Sequence, residues 1–223
     1  MINDSLLPRR RGRPPAFDRD QVLERAGRTF WRLGYEGASI ADLTAAMGLT
    51  PQSLYAAFNS KAELYRETLR RYRATSGAFT PRALREEPTA AAAFGRALRE
   101  AAKQYTRADQ PRGCMLSTAV VTCAVENNAV AEHVAALRAE VLAAFKARLQ
   151  RGIKEGDLKP DTNAAALARY LQVVVQGMSL QARDGASETE LLKVAAIARA
   201  ELERQCTSPR SNARSGRRKR ASR

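Results

Sequence analysis

The chain has 223 residues, long enough for one large domain or two small ones, and it carries 38 lysines and arginines against 23 acidic residues, a net charge of +15. So basic a chain is expected to bind a polyanion, either a nucleic acid or an acidic membrane surface. Three cysteines without close pairs favour a reducing cytoplasm over a disulfide scaffold. The sequence predicts neither a secretory signal nor a run of about 20 apolar residues that could span a membrane.

The positive charge is concentrated at the two ends. The segment "RRRGRP" (residues 9–14) is a basic arm, and "RSNARSGRRKRASR" (residues 210–223) is a basic tail without an acidic residue. Because self-repelling polar sequence buries little apolar surface, we expect residues 1–16 and 207–223 to be disordered in isolation. The folded body is predicted between them.

The body is predicted to be all-α, since no stretch shows a convincing strand alternation. Asp18 and Gln21 form a capping-box pattern at the start of the first helix, and Gly34 is predicted to end it. The inward face of this helix is predicted to carry Val22, Ala26, Phe30 and Leu33.

Two short helices follow, joined by "MGLT". Ser39 and Asp42 form the capping pattern of the first, and Gly48 can close it in the left-handed conformation. Thr50 can cap the second, and Pro51 suits its first turn. This arrangement is typical of a helix-turn-helix, in which the second helix enters the DNA major groove.

The second short helix, "PQSLYAAF", has one face suited to the core and one suited to DNA. Leu54 and Phe58 lie one turn apart and are predicted to anchor the inner face. The outward residues are Gln52, Ser53, Tyr55 and Ala56. Gln52 can form paired hydrogen bonds with adenine, and Ser53 can bond almost any base.

Phosphate contacts are predicted around the same unit. Tyr55 and Lys61 are placed to reach the DNA backbone, as are the N–H groups of the capped helix starts near Ser39 and Thr50. Such contacts position the protein on the duplex without reading sequence.

The rest of the body is predicted as further helices. Ser60 and Glu63 cap a fourth helix, and Thr80-Pro81 is expected to break the chain after it. Longer helices are predicted near 89–107, 114–126, 130–154, 163–183 and 188–205.

The stretch "FWRLGYEGASIADLTAAMGLTPQSLYAAFNSKAELYRETLRRY" resembles the N-terminal domain of TetR/AcrR-family transcriptional regulators, over about residues 17–72. Residues beyond 80 are similar to that family in layout, and "RGCML" resembles a segment that some members carry at the start of a central helix. The resemblance implies a DNA-binding domain over 17–73 and a helical effector-binding and dimerisation domain over 74–206. It also implies a homodimer that binds a palindromic operator on double-stranded DNA and is released by a small-molecule effector.

The resemblance also implies a set of DNA contacts. The recognition-helix positions of the family correspond to Thr50, Pro51, Gln52, Ser53 and Tyr55, and its backbone-contact positions correspond to Ser39, Thr44 and Lys61. Many members carry a long polar residue after the tyrosine, where this chain has Ala56 and Ala57. Direct readout is therefore expected to be sparse, with specificity depending on Gln52, DNA shape and the arm.

The basic arm has two interpretations. Arg11 and Arg13 flank a glycine in "RGRP", the core of an AT-hook that lies in a narrow minor groove. The alternative is a solvated arm that only raises affinity. The tail is predicted to attract phosphates without sequence preference.

Catalysis and metal binding are not expected. Nucleophile-elbow, P-loop and dinucleotide patterns are missing from the sequence, which argues against an enzyme and against a cofactor. His133 is the single histidine, so a zinc site is not predicted. Cys114, Cys123 and Cys206 are interpreted as structural residues. A redox switch is the alternative, strongest at Cys114 because Arg112 precedes it at a predicted helix start.

The effector pocket is predicted from apolar, aromatic and hydroxyl side chains, each of which has ordinary core packing as its alternative. The candidates are Phe94, Tyr105, Met115, Thr118, Thr122, Tyr170, Val174 and Met178. No charge pattern identifies the effector class. The last two helices have wide apolar faces, which predicts a dimer interface there unless they only close the core.

Two other functions remain open from sequence. A sequence-tolerant architectural DNA-binding protein would depend mainly on the basic arm and tail. An activator with the same domain plan would have the same sequence features as a repressor.

Overall fold

The structure is a computed structural model, and it describes residues 17–120 and 123–207. Arg11, Arg13 and Thr122 lie outside the described residues, as does the whole basic tail (residues 210–223). The described residues form nine α-helices and one short 3-10 helix, Val125–Asn127, with no strand beyond an isolated bridge between Leu158 and Cys206. The α-helices are α1 (Arg19–Gly37), α2 (Ile40–Met47), α3 (Pro51–Phe58), α4 (Lys61–Ala74), α5 (Phe79–Glu86), α6 (Ala90–Tyr105), α7 (Asn128–Glu155), α8 (Ala164–Arg183) and α9 (Glu188–Glu203).

Helix α1 begins and breaks where its sequence predicts. The Asp18 carboxylate accepts hydrogen bonds from the backbone N–H groups of Asp20 and Gln21, and Gly34 leaves the helical conformation with φ 75° and ψ 175°. The predicted inward position of Leu33 is wrong, because its side chain is 40% exposed. The C-terminal part of α1 packs into the hydrophobic core through the buried side chains of Trp31 and Tyr35 instead.

The buried side chains form two hydrophobic cores. The first joins α1–α4 to residues 115–120 and to the N-terminal half of α7, through Val130, Val134 and Leu137. The second joins α5, α6, α8 and α9 to the C-terminal half of α7 through Phe145 and Leu149. Helix α7 therefore belongs to both cores, and the core around the two short helices is completed by residues far along the chain.

The predicted helix over 114–126 is wrong. Residues 114–120 form turns, held by a hydrogen bond from the Thr118 hydroxyl to the Cys114 carbonyl at 2.9 Å. Gly113 precedes them in the left-handed region, with φ 79°. A Cβ atom on Gly113 would lie 2.7 Å from the Ser179 carbonyl oxygen, so this glycine allows the segment to pass against α8.

The predicted break at Thr80-Pro81 is also wrong, because both residues lie in the first turn of α5. The first N–H groups of a helix have no partner within it, so a proline costs little there. The break falls earlier, between Ala74 and Phe79.

Candidate nucleic-acid interface

The α2–turn–α3 unit is held by the caps that the sequence predicts. The Ser39 hydroxyl accepts from the Asp42 N–H, and the Asp42 carboxylate accepts from the Ser39 backbone N–H at 2.9 Å. Gly48 closes α2 in the left-handed conformation, with φ 68° and ψ 34°. The Thr50 hydroxyl accepts from the Ser53 N–H at 3.2 Å, with Pro51 in the first turn.

Helix α3 separates a buried face from an exposed one. Leu54 and Phe58 are fully buried in the first core. Gln52, Tyr55 and Ala56 are exposed, as predicted, and nearly half of the Tyr55 side chain is accessible. Small and flat side chains on this face let the helix approach base edges closely.

The N-terminus of α3 is electrostatically open to an anion. Its first turn contains no acidic residue, whereas α2 and α4 carry Asp42 and Glu63 in theirs. The positive end of the α3 dipole is therefore not neutralised within the helix. A phosphate or a base acceptor is favoured at that position.

The C-terminal end of α3 is fixed by Arg19, which the sequence analysis does not identify as important. Its guanidinium donates to the Ala57 carbonyl at 3.2 Å and to both carboxylate oxygens of Glu67 on α4, at 2.9 and 2.8 Å. It also lies over the Phe58 ring, 4.4 Å from the ring centre. This residue positions α3 against α1 and α4, and only the fold brings these groups together.

Two of the predicted backbone contacts have other partners in this structure. Thr44 is buried, and its hydroxyl donates to the Ile40 carbonyl at 2.8 Å. Since a phosphate offers only acceptors, the one proton of Thr44 is not available to it. The Lys61 ammonium lies 4.5 Å from the centre of the Tyr35 ring, and partial burial lowers its pKa.

A small apolar cavity of about 160 Å³ lies where α4 meets the second core. Its walls come from α4–α8 and the turns at 114–117. Its lining includes Tyr72, Phe79, Leu84, Tyr105, Cys114, Leu116, Val141, Phe145 and Val175. Of the described residues predicted to line an effector pocket, only Tyr105 borders this cavity.

The polar residues of the lining are Tyr72, Tyr105, Cys114, Arg73, Thr80, Ser117 and Glu140. The Tyr72 hydroxyl donates to the Cys114 sulfur at 3.2 Å, and the Cys114 backbone N–H donates to the Ser179 hydroxyl at 2.7 Å. Burial raises the pKa values of Tyr72 and Tyr105 well above 10, so both hydroxyls are protonated. Cys114 thus links the last turn of α4 to α8.

The other predicted pocket residues lie elsewhere. Phe94 packs edge-to-face on Phe145 in the second core, and Met178 is buried in the same core. Met115 belongs to the first core, whereas Tyr170 lies on the outer surface of α8.

The last two described candidates are also away from the cavity. Val174 is half-buried against the second core, and the Thr118 hydroxyl is used by the Cys114 carbonyl. Hydrophobicity alone could not separate these residues from the lining of this cavity, because core and pocket side chains are of the same types.

The described residues contain no cluster of three or more histidine, cysteine and acidic side chains that could hold a metal, and no described helix is long and apolar enough to cross a membrane. Cys114, Cys123 and Cys206 are unpaired thiols. Burial, together with Arg66 and Arg70, lowers the pKa of His133.

Comparison with known proteins agrees with this geometry. Residues 22–68 match the family model for bacterial regulatory proteins of the tetR family, and residues 95–198 match the model for a tetracyclin repressor-like C-terminal domain. The chain is 32% identical over 198 residues to the HTH-type transcriptional repressor ComR of Escherichia coli (strain K12), with 87% of this chain and 94% of ComR covered. It is 27% identical over 187 residues to the HTH-type transcriptional repressor BdcR of the same strain, covering 84% and 90%.

Among solved structures, the chain is similar to a cysteine mutant of the TetR family transcriptional regulator CifR complexed with 26bp double-strand operator DNA. The sequence identity is 42%, the TM-score is 0.82, and the match covers 84% of this chain and 98% of that one. A putative TetR transcriptional regulator from Rhodococcus sp. RHA1 is 36% identical with a TM-score of 0.57, covering 83% and 98%.

Proposed function

Because this chain belongs to the tetR family of bacterial regulatory proteins, we propose that it is a transcriptional repressor that binds a palindromic operator as a homodimer and leaves it when a small molecule binds the C-terminal core. The observation that carries the proposal is the exposed face of α3 on a fully capped helix-turn-helix. The protein acts in the cytoplasm and without catalysis.

Operator reading is assigned to the N-terminal half of α3. Gln52 supplies an amide that can bond adenine in pairs, and the open N-terminus of the helix favours a phosphate nearby. Thr50, Pro51, Ser53 and Tyr55 complete the contact surface, with Ser39 at the start of α2. The relatives ComR and BdcR are repressors by name, and CifR was solved on operator DNA, which supports the assignment.

Dimerisation is assigned to the outer faces of α8 and α9. Tyr170, Val173 and Leu180 are exposed along one side of α8, and Val194 and Ile197 are exposed on α9. Gly177 lies on the same side of α8 with open space around its Cβ position, so a second helix can approach closely there. Packing this face on its two-fold copy would remove a contiguous apolar patch from water.

Effector binding is assigned to the cavity behind α4. A cavity of about 150 Å³ accommodates a benzene-sized apolar molecule, so a small apolar effector with one polar group is expected. Tyr72 borders the cavity from the last turn of α4, the helix that follows the helix-turn-helix. A ligand that prefers one position of α4 would shift the spacing of the two recognition helices in the dimer.

Selection of bound sites from random DNA at about 150 mM salt, where non-specific phosphate binding is weak, tests the proposal. We expect an enriched palindrome. The combined variant Gln52→Ala/Tyr55→Ala should lose the enrichment, whereas Gln150→Ala, on an exposed position of α7, should keep it. Enrichment of AT-rich DNA without a palindrome would instead support the architectural alternative, which the net charge of +15 favours.

A further inference from the structure

A second depression, separate from the apolar cavity, opens between α1 and the loop that follows α6. Its volume is about 640 Å³, and it is open to solvent on one side. Five arginines line it: Arg25, Arg28 and Arg32 from α1, Arg112 from the loop, and Arg183 from the end of α8. We call this depression the arginine groove.

The five groove arginines outnumber the acidic side chains near them, which among the described residues are Asp109 in the lining and Asp42 near Arg32. Asp109 is the one carboxylate of its lining, and Arg107 holds that carboxylate through a hydrogen bond of 2.8 Å. Elsewhere arginines pair closely with acids, as Arg73 does with Glu140 at 2.7 Å. Within the described residues, no groove arginine lies in a salt bridge with a carboxylate.

Two of the five arginines are held rigidly at the inner end of the groove. Arg112 donates to the Ala182 carbonyl at 2.7 Å, near the C-terminus of α8. Arg183 donates to the carbonyls of Trp31 and Arg32, at 3.0 and 3.2 Å, just before the break in α1. Each guanidinium has five N–H donors, so these bonds orient the group and leave other donors for a ligand.

The other three arginines form a row on α1. Arg25, Arg28 and Arg32 are spaced by three and four residues and so lie on one side of the helix, all exposed. The Arg28 side chain donates to the Asp109 backbone carbonyl. The side chains of Arg25 and Arg32 donate no hydrogen bond to any described residue. Like charges in a concave site repel one another, and an anion with several oxygens relieves that repulsion.

We propose that the arginine groove binds a soluble anion that carries a phosphate or pyrophosphate group. Arginine suits this ligand because its planar fork donates two parallel hydrogen bonds to phosphate oxygens. The groove is lined by α1 on one side and by Arg112 and Arg183 on the other, so a bound anion bridges the first core to the end of α8. Any effect of the bound anion on DNA affinity rests on the proposed repressor function. Binding of the anion to the groove does not rest on it.

DNA backbone phosphate is the other source of the same chemistry. Arg25 lies nearest to the helix-turn-helix, since its Nη1 is 4.0 Å from the Cβ position of Gly48. Arg112 and Arg183 lie at the opposite end, against α8. A duplex that reaches Arg25 would leave the inner two arginines unused, and a pyrophosphate-sized anion in the groove is therefore favoured.

The test is a titration of the full-length protein with pyrophosphate at about 10 mM salt, where the Debye length is about 30 Å. Calorimetry measures binding. The groove variant is Arg25→Gln/Arg32→Gln, which removes no hydrogen bond to a described residue. The control is Lys146→Gln/Lys154→Gln, with the same loss of charge on exposed positions of α7.

We expect saturable binding that weakens about tenfold or more in the groove variant and less than about twofold in the control. Equal weakening in both variants, or no saturable binding to the native protein, would overturn the proposal. It would also be overturned if the groove variant lost affinity for duplex DNA while binding pyrophosphate as the control does. Circular dichroism of each variant confirms that it is folded. Because no operator DNA is needed for the pyrophosphate titration, a failure of the repressor proposal would not produce any of these results.

Discussion

At the scale of the residue, the α3 surface carries one long side chain that can read a base directly. Gln52 is exposed in the first turn, and its neighbours on the outer face are small or aromatic. Ala56 extends no polar group toward the groove. We therefore expect base discrimination to be concentrated at a single position.

Substitution Gln52→Ala should cost about 1–3 kcal/mol of binding free energy at one base pair of each half-site, because a paired hydrogen bond is lost there. Affinities for the selected operator and for single-base variants of it measure this. An equal loss on every sequence would contradict the assignment of Gln52 to base reading.

Lys61→Ala should weaken binding to all sequences alike and reduce the slope of affinity against salt by about one unit, because a phosphate contact is lost. The structure makes this a sharp test, since the Lys61 ammonium packs on the Tyr35 ring. An unchanged salt slope would show that the ammonium stays on the ring when DNA is bound. Lys61→Arg is the control that keeps the charge.

At the scale of the element, short helices depend on their caps, since eight residues are too few for a stable isolated helix. Helix α2 has a complete capping box, in which the Asp42 carboxylate accepts from both the N–H and the hydroxyl of Ser39. These hydrogen bonds lower the pKa of Asp42 below its ordinary value of 3.8. The folded state therefore favours the ionised carboxylate.

A lowered pKa means that Asp42 stabilises the fold above pH 3.8 and that this contribution is lost as pH falls through the folded-state value. Asp42→Asn should therefore lower stability at neutral pH and flatten its dependence on pH below about 4. Denaturant unfolding of both proteins between about pH 2 and pH 6 measures the difference between their unfolding free energies. Asp109 and Glu190 also have lowered pKa values, but they contribute equally to both proteins and so cancel in this difference. Parallel pH profiles would contradict the role of the capping carboxylate.

The turn before residue 114 depends on Gly113, whose backbone is in the left-handed region. Gly113→Ala should destabilise the protein by more than about 1 kcal/mol, since φ is 79° and a Cβ atom would lie 2.7 Å from the Ser179 carbonyl oxygen. Gly27→Ala is the matched control, because its Cβ would meet Thr68 at an ordinary 3.6 Å. Equal unfolding free energies for the two variants would rule out the tight contact.

At the scale of the whole molecule, the exposed apolar face of α8 and α9 predicts the oligomeric state. Val173→Glu/Ile197→Glu should convert a dimer to a folded monomer, because charge would be buried in the interface. Light scattering measures the mass, with Val125→Glu as a control at an exposed valine outside this face. A folded variant that stays dimeric would place the interface elsewhere.

The two cores also explain how the molecule can transmit a signal. Tyr72 at the end of α4 is buried in the first core and borders the apolar cavity of the second. Residues 114–120 and α7 cross between the cores. We therefore expect movement at the cavity to reach the helices of the helix-turn-helix through packed side chains.

Local sequence signals determined the helices whose ends are marked by capping residues. Ser39, Gly48, Thr50 and Ser60 act as predicted because a cap is made by residues within a few positions of each other. The buried and exposed faces of α3 follow from the helical period alone. These signals, with the family motif, were sufficient for the fold class and for the exposed face of α3.

Tertiary structure alone decided the features that depend on distant residues. The turns at 114–120 replace a predicted helix because they pack between two cores, and the cavity is bounded by five helices that no local pattern relates. The ammonium of Lys61 and the guanidinium of Arg19 each take partners from other helices. The spacing of Arg25, Arg28 and Arg32 is visible in the sequence, but the groove exists because folding brings Arg112 and Arg183 to the same place. Hydrophobic burial has no direction, so it specifies which residues lie inside but not which of them meet.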